Sequence, residues 1–205
     1  MPKIKLTKGE LKRQRDALKQ YKRYLPTLQL KKQQLQMEIL HQSIICDEKE
    51  EEKSKKLNDI KVWAGLLSDD EVNIKQWVMP KEIITGVKNI AGVDVPIFER
   101  AEFAFDEYDF FTTPLWVDHA IDKLREFVSQ ELETEIIKES IKILKNELRI
   151  TTQRVNLFEK VKIPEAEEII RLIKIYIGDQ MTNAVGRSKI AKRKIEESIL
   201  AGAGV

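Results

Sequence analysis

A chain of 205 residues that is 42% apolar can bury one or two cores, but 34% charged residues with only 8 glycines and 6 prolines suit long solvated helices better than a compact globule. A formal net charge of +2 excludes global polyelectrolyte behaviour, yet the charge is polarised: residues 3–32 hold acids only at Glu10 and Asp16, whereas residues 68–109 are acid-rich, with Asp69, Asp70, Glu71, Asp106, Glu107 and Asp109 among them. A single cysteine, Cys46, excludes an intramolecular disulfide and fits a reducing compartment; with no apolar run of about 20 residues and no apolar leader core, a soluble chain is expected, linked to any membrane through a partner.

From Leu11 onward apolar residues keep a seven-residue register. Leu11, Leu18 and Leu25 interleave with Tyr21, Leu28 and Leu35, and Ile39 and Cys46 follow. Two such series three or four residues apart form the seam of a coiled coil. Lys32 interrupts the first series and Pro26 falls inside the helix. "DEKEEEKSKK" at 47–56 has no apolar residue and reads as a solvated helix stabilised by opposite charges at i,i+4. At 1.5 Å per residue, a helix of about 55–60 residues makes a rod about 80–90 Å long.

Residues 64–113 change character. "EIITGV" and "VDVPIF", joined by "KNIAG", read as two short strands of a hairpin, with Pro96 placing the second at an edge. In "TTPLWVD", Thr113 can cap a second long helix and Pro114 can occupy its first position. Its apolar face runs through Ile121, Leu124 and Val128, then Ile137, Ile141, Leu144, Leu148, Val155 and Phe158, with polar Thr151 on the same seam. Ile169, Leu172, Ile173 and Tyr176 extend the face beyond Pro164, although an interior proline costs about 3 kcal/mol. The expected fold is all-α dominated: a long antiparallel two-helix coiled coil, residues 1–63 and 114–205, whose middle cap, residues 64–113, holds a short helix and a β-hairpin. Residues past Gly186 are expected to fray in isolation.

No catalytic constellation emerges. His41 and His119 read as ordinary polar helix residues, Asp118 and Asp122 as acids favoured near a helix amino terminus, and Cys46 as a small core residue rather than a nucleophile. "GVKNIAG" lacks the Lys-Ser/Thr ending of a phosphate loop, and "GRSKIAKRK" lacks its first glycine. Catalytic, cofactor and metal residues are therefore expected to be none. Basic "KRQR" at 12–15 and "KQYKR" at 19–23 can follow a phosphate backbone, but few aromatic residues accompany them, which favours a solvated face or an acidic protein partner over RNA.

"KLTKGELKRQRDAL", "LPTLQLKKQQLQ", "NIAGVDVPIF", "TPLWVD" and "RVNLFEKVKIPEAEEIIRLI" together resemble the D subunit of the V-type (archaeal and vacuolar type) ATP synthases and ATPases, over nearly the whole chain and in order. "LPTL", which puts Pro26 in the first helix, is similar to a bacterial branch. The resemblance implies a non-catalytic central rotor shaft that transmits torque between a catalytic head and a membrane ring carrying protons or sodium ions. Implied partners are the catalytic and nucleotide-binding subunits of the head, the small F subunit of the central stalk and a funnel-shaped subunit on the ring. Nucleic acid and direct membrane insertion are not implied, and the implied location is the cytoplasmic face of the membrane, as a peripheral subunit. On that reading Pro164 bends the shaft off its axis so that it acts as a cam. Arg13, Arg15, Lys19, Arg154, Lys160, Arg171, Lys189, Lys192 and Arg193 become candidates for touching acidic loops of the surrounding ring. The alternative is an RNA-binding or tethering helical hairpin.

Overall fold

A computed structural model of the chain describes residues 5–68, 74–104 and 113–202. Asp69, Asp70, Glu71, Asp106, Glu107 and Asp109, the acids singled out from the sequence, lie outside the described residues. Helix α1 spans Lys8–Trp63 and passes into a 3₁₀ turn at Ala64–Ser68. A one-turn helix α2, Lys75–Val78, leads into the antiparallel strands β1, Pro80–Ile90, and β2, Val93–Phe103. Helix α3, Trp116–Leu157, passes through a π-helical turn, Phe158–Lys162, into α4, Ile163–Gly202. The all-α architecture with a central hairpin is the one the periodicities predict. Two compact units divide the chain: Met1–Gln29 with Gln153–Val205, and Leu30–Thr152.

In the unit formed by Leu30–Thr152, two apolar clusters organise the packing. Leu35 of α1 and Leu144 of α3, both fully buried, enclose Val95 of β2, with Ile39, Ile90, Ala91, Val93, Ile143 and Leu148 around them. The hairpin is thus docked by its tip rather than free. Both strands run longer than the sequence reading and leave a two-residue turn, Ala91 (φ 52°) and Gly92 (φ 75°). Positive φ at both positions is the type I′ geometry that matches strand twist, and Ala91 adopts it at a steric cost that glycine avoids. Asn89 braces the turn, accepting from the Gly92 N–H at 3.1 Å and donating to Asp94 at 2.6 Å. Pro96 pairs opposite Val87 in a two-stranded sheet, where every strand is an edge.

The second cluster joins Ile74 and Trp77, at the start and within α2, to Val117 and Ile121 of α3, with Val78, Trp116 and Leu124 packed against it. Arg125 secures it: its Nε donates to the Trp77 carbonyl and its Nη2 to the Ala104 carbonyl, both at 2.8 Å, and its guanidinium lies 5.3 Å from the Phe103 ring centre. Helix α3 starts two residues after Pro114, whose carbonyl accepts the Val117 N–H at 3.0 Å. The predicted position of Pro114 inside the first turn therefore moves outward by two.

In the other unit, α1 packs against the end of α3 and against α4. Tyr21 meets Phe158, the first residue of the π-turn, at 5.4 Å between ring centres, and Lys22 reaches Glu167 at 2.7 Å. Ile163 donates its N–H to the Phe158 carbonyl, five residues back. A turn widened in this way accommodates the missing N–H and the ring of Pro164, so the helix continues through it. The buried face of α4 is Ala166, Ile170 and Ile173, with Ile177 half-buried. Leu172 and Tyr176, expected on that face, are exposed and Ile169 is half-buried. From Val155 the heptad leads to positions 169, 172 and 176; the π-turn takes up one residue and moves the face to 170, 173 and 177.

Candidate functional site

The features that distinguish this molecule are surfaces, and charge sorts them. Lys and Arg outnumber Asp and Glu by 19 to 9 in the unit of the two termini, for +10, and are outnumbered 17 to 25 in Leu30–Thr152, for −8. All nine candidate basic residues belong to the positive unit. Four of them are engaged by acids on their own helix. Arg171 holds Glu168 in a bidentate pair at 2.6 and 2.8 Å, Arg13 stands 4.0 Å from Glu10, Lys192 3.7 Å from Glu196 and Arg193 3.5 Å from Glu197. Arg15, Lys19, Arg154, Lys160 and Lys189 are exposed and form no ion pair among the described residues.

Helix α4 continues well past its last contact. From Gly178 to the end of the described side chains every residue but Gly186 is exposed, including Met181, Val185, Ile190, Ile195 and Ile199. Isolated helices are marginal in water and gain stability mainly by burying an apolar face. This end bears apolar and basic side chains together, and no other described segment of the chain covers them.

Within Leu30–Thr152 the charged stretch at 47–56 behaves differently from its sequence reading. Three of its four lysines, and Glu50, reach across to α3: Lys49 to Glu133 at 3.2 Å, Lys53 to Glu131 at 3.2 Å, Lys56 to Glu126 at 2.6 Å, and Glu50 to Lys138. Lys31 and Glu147 add another rung at 3.0 Å. The hydrogen bond from Lys138 holds the Glu50 carboxyl below its ordinary range and the bond from Lys56 does the same for Glu126. These pairs are half-exposed and individually weak, but together they favour one antiparallel register. Between them α3 buries polar residues: Gln130 donates to Glu52 at 3.0 Å, Thr134 to the Gln130 carbonyl, and Ser140 to the Pro96 carbonyl at 2.6 Å, while Thr151 is 1% exposed.

The residues weighed for chemistry are scattered. His41, His119, Asp118 and Asp122 are all exposed. Cys46 is buried on the seam, and burial, reinforced by the Glu50 charge, pushes its thiol up, away from the reactive thiolate. Among the described residues no group of three or more His, Cys, Asp or Glu side chains converges as a metal site, and no helix is long and apolar enough to cross a membrane. Sequence reasoning missed Arg125 and the rungs to α3, because both depend on which distant segment lies opposite.

Residues 10–193 match the family described as the D subunit of ATP synthase. A protein of Borreliella burgdorferi, named as a V-type ATP synthase D subunit, is 47% identical over 195 residues, covering 95% of this chain and 96% of its own length. Proteins of the same name from Chlamydia pneumoniae and Chlamydia trachomatis are 36% and 33% identical, covering 94% and 95% of this chain and 93% and 97% of theirs. With its long terminal helices, docked central hairpin and near-complete correspondence to these relatives, the chain belongs to the D-subunit family of V-type ATP synthases.

Proposed function

We propose that this chain is the non-catalytic central rotor shaft of a V-type ATP synthase or ATPase, passing torque between the catalytic head and the ion-carrying membrane ring. The observation that carries this reading is the uncovered end of α4, residues 178–199, together with the +10 charge of the unit it belongs to. A helix end with exposed apolar and basic side chains suits the interior of a ring of larger subunits with acidic loops. Arg15, Lys19, Arg154, Lys160 and Lys189, with no ion pair among the described residues, are the basic residues best placed to meet such loops. The partners are the catalytic and nucleotide-binding subunits of the head, the small F subunit and the funnel-shaped subunit, and the chain works at the cytoplasmic face without entering the bilayer. Two non-identical helices present a different face to each of three similar sites, and Pro164 with its π-turn contributes to that asymmetry as a cam.

Reconstitution tests the reading. The chain is mixed with the catalytic and nucleotide-binding subunits of its own organism, separated by size exclusion and assayed for ATP hydrolysis. One copy per hexamer with altered hydrolysis is expected; no association, with the F subunit also present, overturns it. The same +10 charge also favours an RNA-binding arm, which predicts binding that falls steeply with salt. An RNA complex that persists while no hexamer forms would put that second reading first.

A further inference from the structure

The two edges of the hairpin are not alike. Its two-residue turn closes on the pair Ile90 and Val93, and hydrogen-bonded and non-bonded pairs alternate away from it, so Val87 and Pro96 form a non-bonded pair whose carbonyls point outward. On the β2 side that outward carbonyl of Pro96 accepts from Ser140 of α3 at 2.6 Å, and proline has no N–H to offer. The β1 side has no such cover. The two backbone groups of one residue in a strand point the same way and alternate along it, so Ile83, Thr85 and Val87 all present N–H and C=O outward. Among the described residues no hydrogen bond from another segment reaches them. Thr85 is exposed, and Ile83 and Val87 are 42% and 75% exposed.

An uncovered strand edge is a template for another strand, and charge usually guards it. Strand β1 carries Lys81, Glu82 and Lys88, all exposed and without an ion pair among the described residues. Their spacing decides what fits. An incoming strand must set its own outward residues opposite Ile83, Thr85 and Val87. When that strand is an antiparallel second β1, one register centres on Thr85: Thr85 faces Thr85 across a two-fold axis, Ile83 faces Val87 twice, and Glu82 faces Lys88 twice. The charged pairs then fall at non-bonded positions, where opposed side chains come closest. Moving the centre to Ile84 or to Gly86 sets Lys88 against Pro80 or Glu82 against Ile90, and both charged pairs are lost.

We propose that β1 is a self-complementary edge through which two copies of the free chain pair as a two-fold dimer, joining their hairpins into one four-stranded antiparallel sheet. Three residue pairs along the new seam exchange two backbone hydrogen bonds each. A strip this narrow falls short of the roughly 1,200 Å² of total area found in stable complexes, so the dimer is weak and reversible. A chain held as one copy per hexamer has no second copy beside it. The pairing therefore belongs to the chain before assembly, where it shields an edge that would otherwise recruit other strands, and it stands independently of the shaft reading.

Sedimentation velocity on the full chain, from about 5 to 200 µM in about 0.15 M salt to screen the acidic surface, reads the equilibrium. A concentration-dependent dimer and nothing larger is expected. Glu82→Lys alone or Lys88→Glu alone opposes like charges at two places, and each should weaken the dimer about tenfold. Mixing these two variants sets every lysine against a glutamate again and should restore the dimer, as should both substitutions in one chain. Helicity and thermal midpoint should stay unchanged throughout, since both positions are exposed. Thr85→Cys places two thiols across the axis within disulfide reach, so mild oxidation should link the copies there and not through Val87→Cys, while Cys46 is buried. A monomer at every concentration, growth beyond dimers, a dimer indifferent to either charge reversal, a mixture that stays monomeric, or linkage through position 87 as ready as through 85 overturns the pairing.

Discussion

Helix α1 serves both units, and each uses it differently. In Leu30–Thr152 it is one wall of a packed body: most of the buried side chains belong there, Leu35, Cys46, Ile60 and Leu144 among them, and five Lys–Glu rungs cross between α1 and α3. In the unit of the termini the buried set among the described residues shrinks to Val155, Ala166, Ile170 and Ile173, with the rung Lys22–Glu167. One unit is acidic and largely self-sufficient; the other is basic and keeps little of its apolar surface for itself. Stability and interaction are thus concentrated in different parts of one chain.

The contrast can be broken most directly at one fully buried position in each unit. Leu144→Ala should remove about 3 kcal/mol from unfolding in urea, because it empties the cluster that holds Leu35 and the hairpin tip. Ile173→Ala, although equally buried, should act locally, lowering hydrogen-exchange protection in α4 while amides of α3 near Leu144 keep theirs. Matching losses in both helices from either variant would mean that the units melt as one. Arg125→Met should cost about 2 kcal/mol, since two carbonyls lose a charged donor, and should loosen the Trp77 environment seen by fluorescence.

Smaller effects sharpen the picture. A double-mutant cycle on Lys53→Ala and Glu131→Ala should give a coupling of roughly 0.5 kcal/mol, as expected of a half-exposed pair. Glu50 and Glu126 in the acidic unit and Glu168 in the basic one have carboxyls held below their ordinary 4.5 by Lys138, Lys56 and Arg171. A depressed folded value contributes stability that is present above the unfolded pKa and lost as pH falls through the folded one. The thermal midpoint should therefore decline below about pH 4.5, and Glu50→Gln with Glu126→Gln should flatten that decline more than Glu168→Gln does.

Much of this is legible in the sequence because helices and strands announce themselves by period. The seven-residue spacing from Leu11 to Cys46 and from Ile137 to Phe158 marks both long helices, and the β-branched runs around Gly92 mark the hairpin. The rungs at Lys49, Lys53 and Lys56 look like local pairs in sequence, since a charge run does not say what stands opposite. Arg125 carries no pattern at all; its two acceptors lie 48 and 21 residues away in sequence. Of the nine basic candidates, geometry separates Arg171, held by Glu168, from Arg15 and Lys19, a distinction that depends on where neighbouring acids point.

The π-turn at Phe158–Lys162 also has a meaning for lineages of this chain. Counted along the helix, it is one residue too many, as if a codon had been inserted between Val155 and Pro164 and the helix had absorbed it by bulging. Deleting Lys160 should close the bulge and leave Ile170, Ile173 and Ile177 on the inner face, readable by unchanged cysteine accessibility at 172 and 173. A chain can thus gain or lose a residue at this turn while the same side chains of α4 keep facing inward.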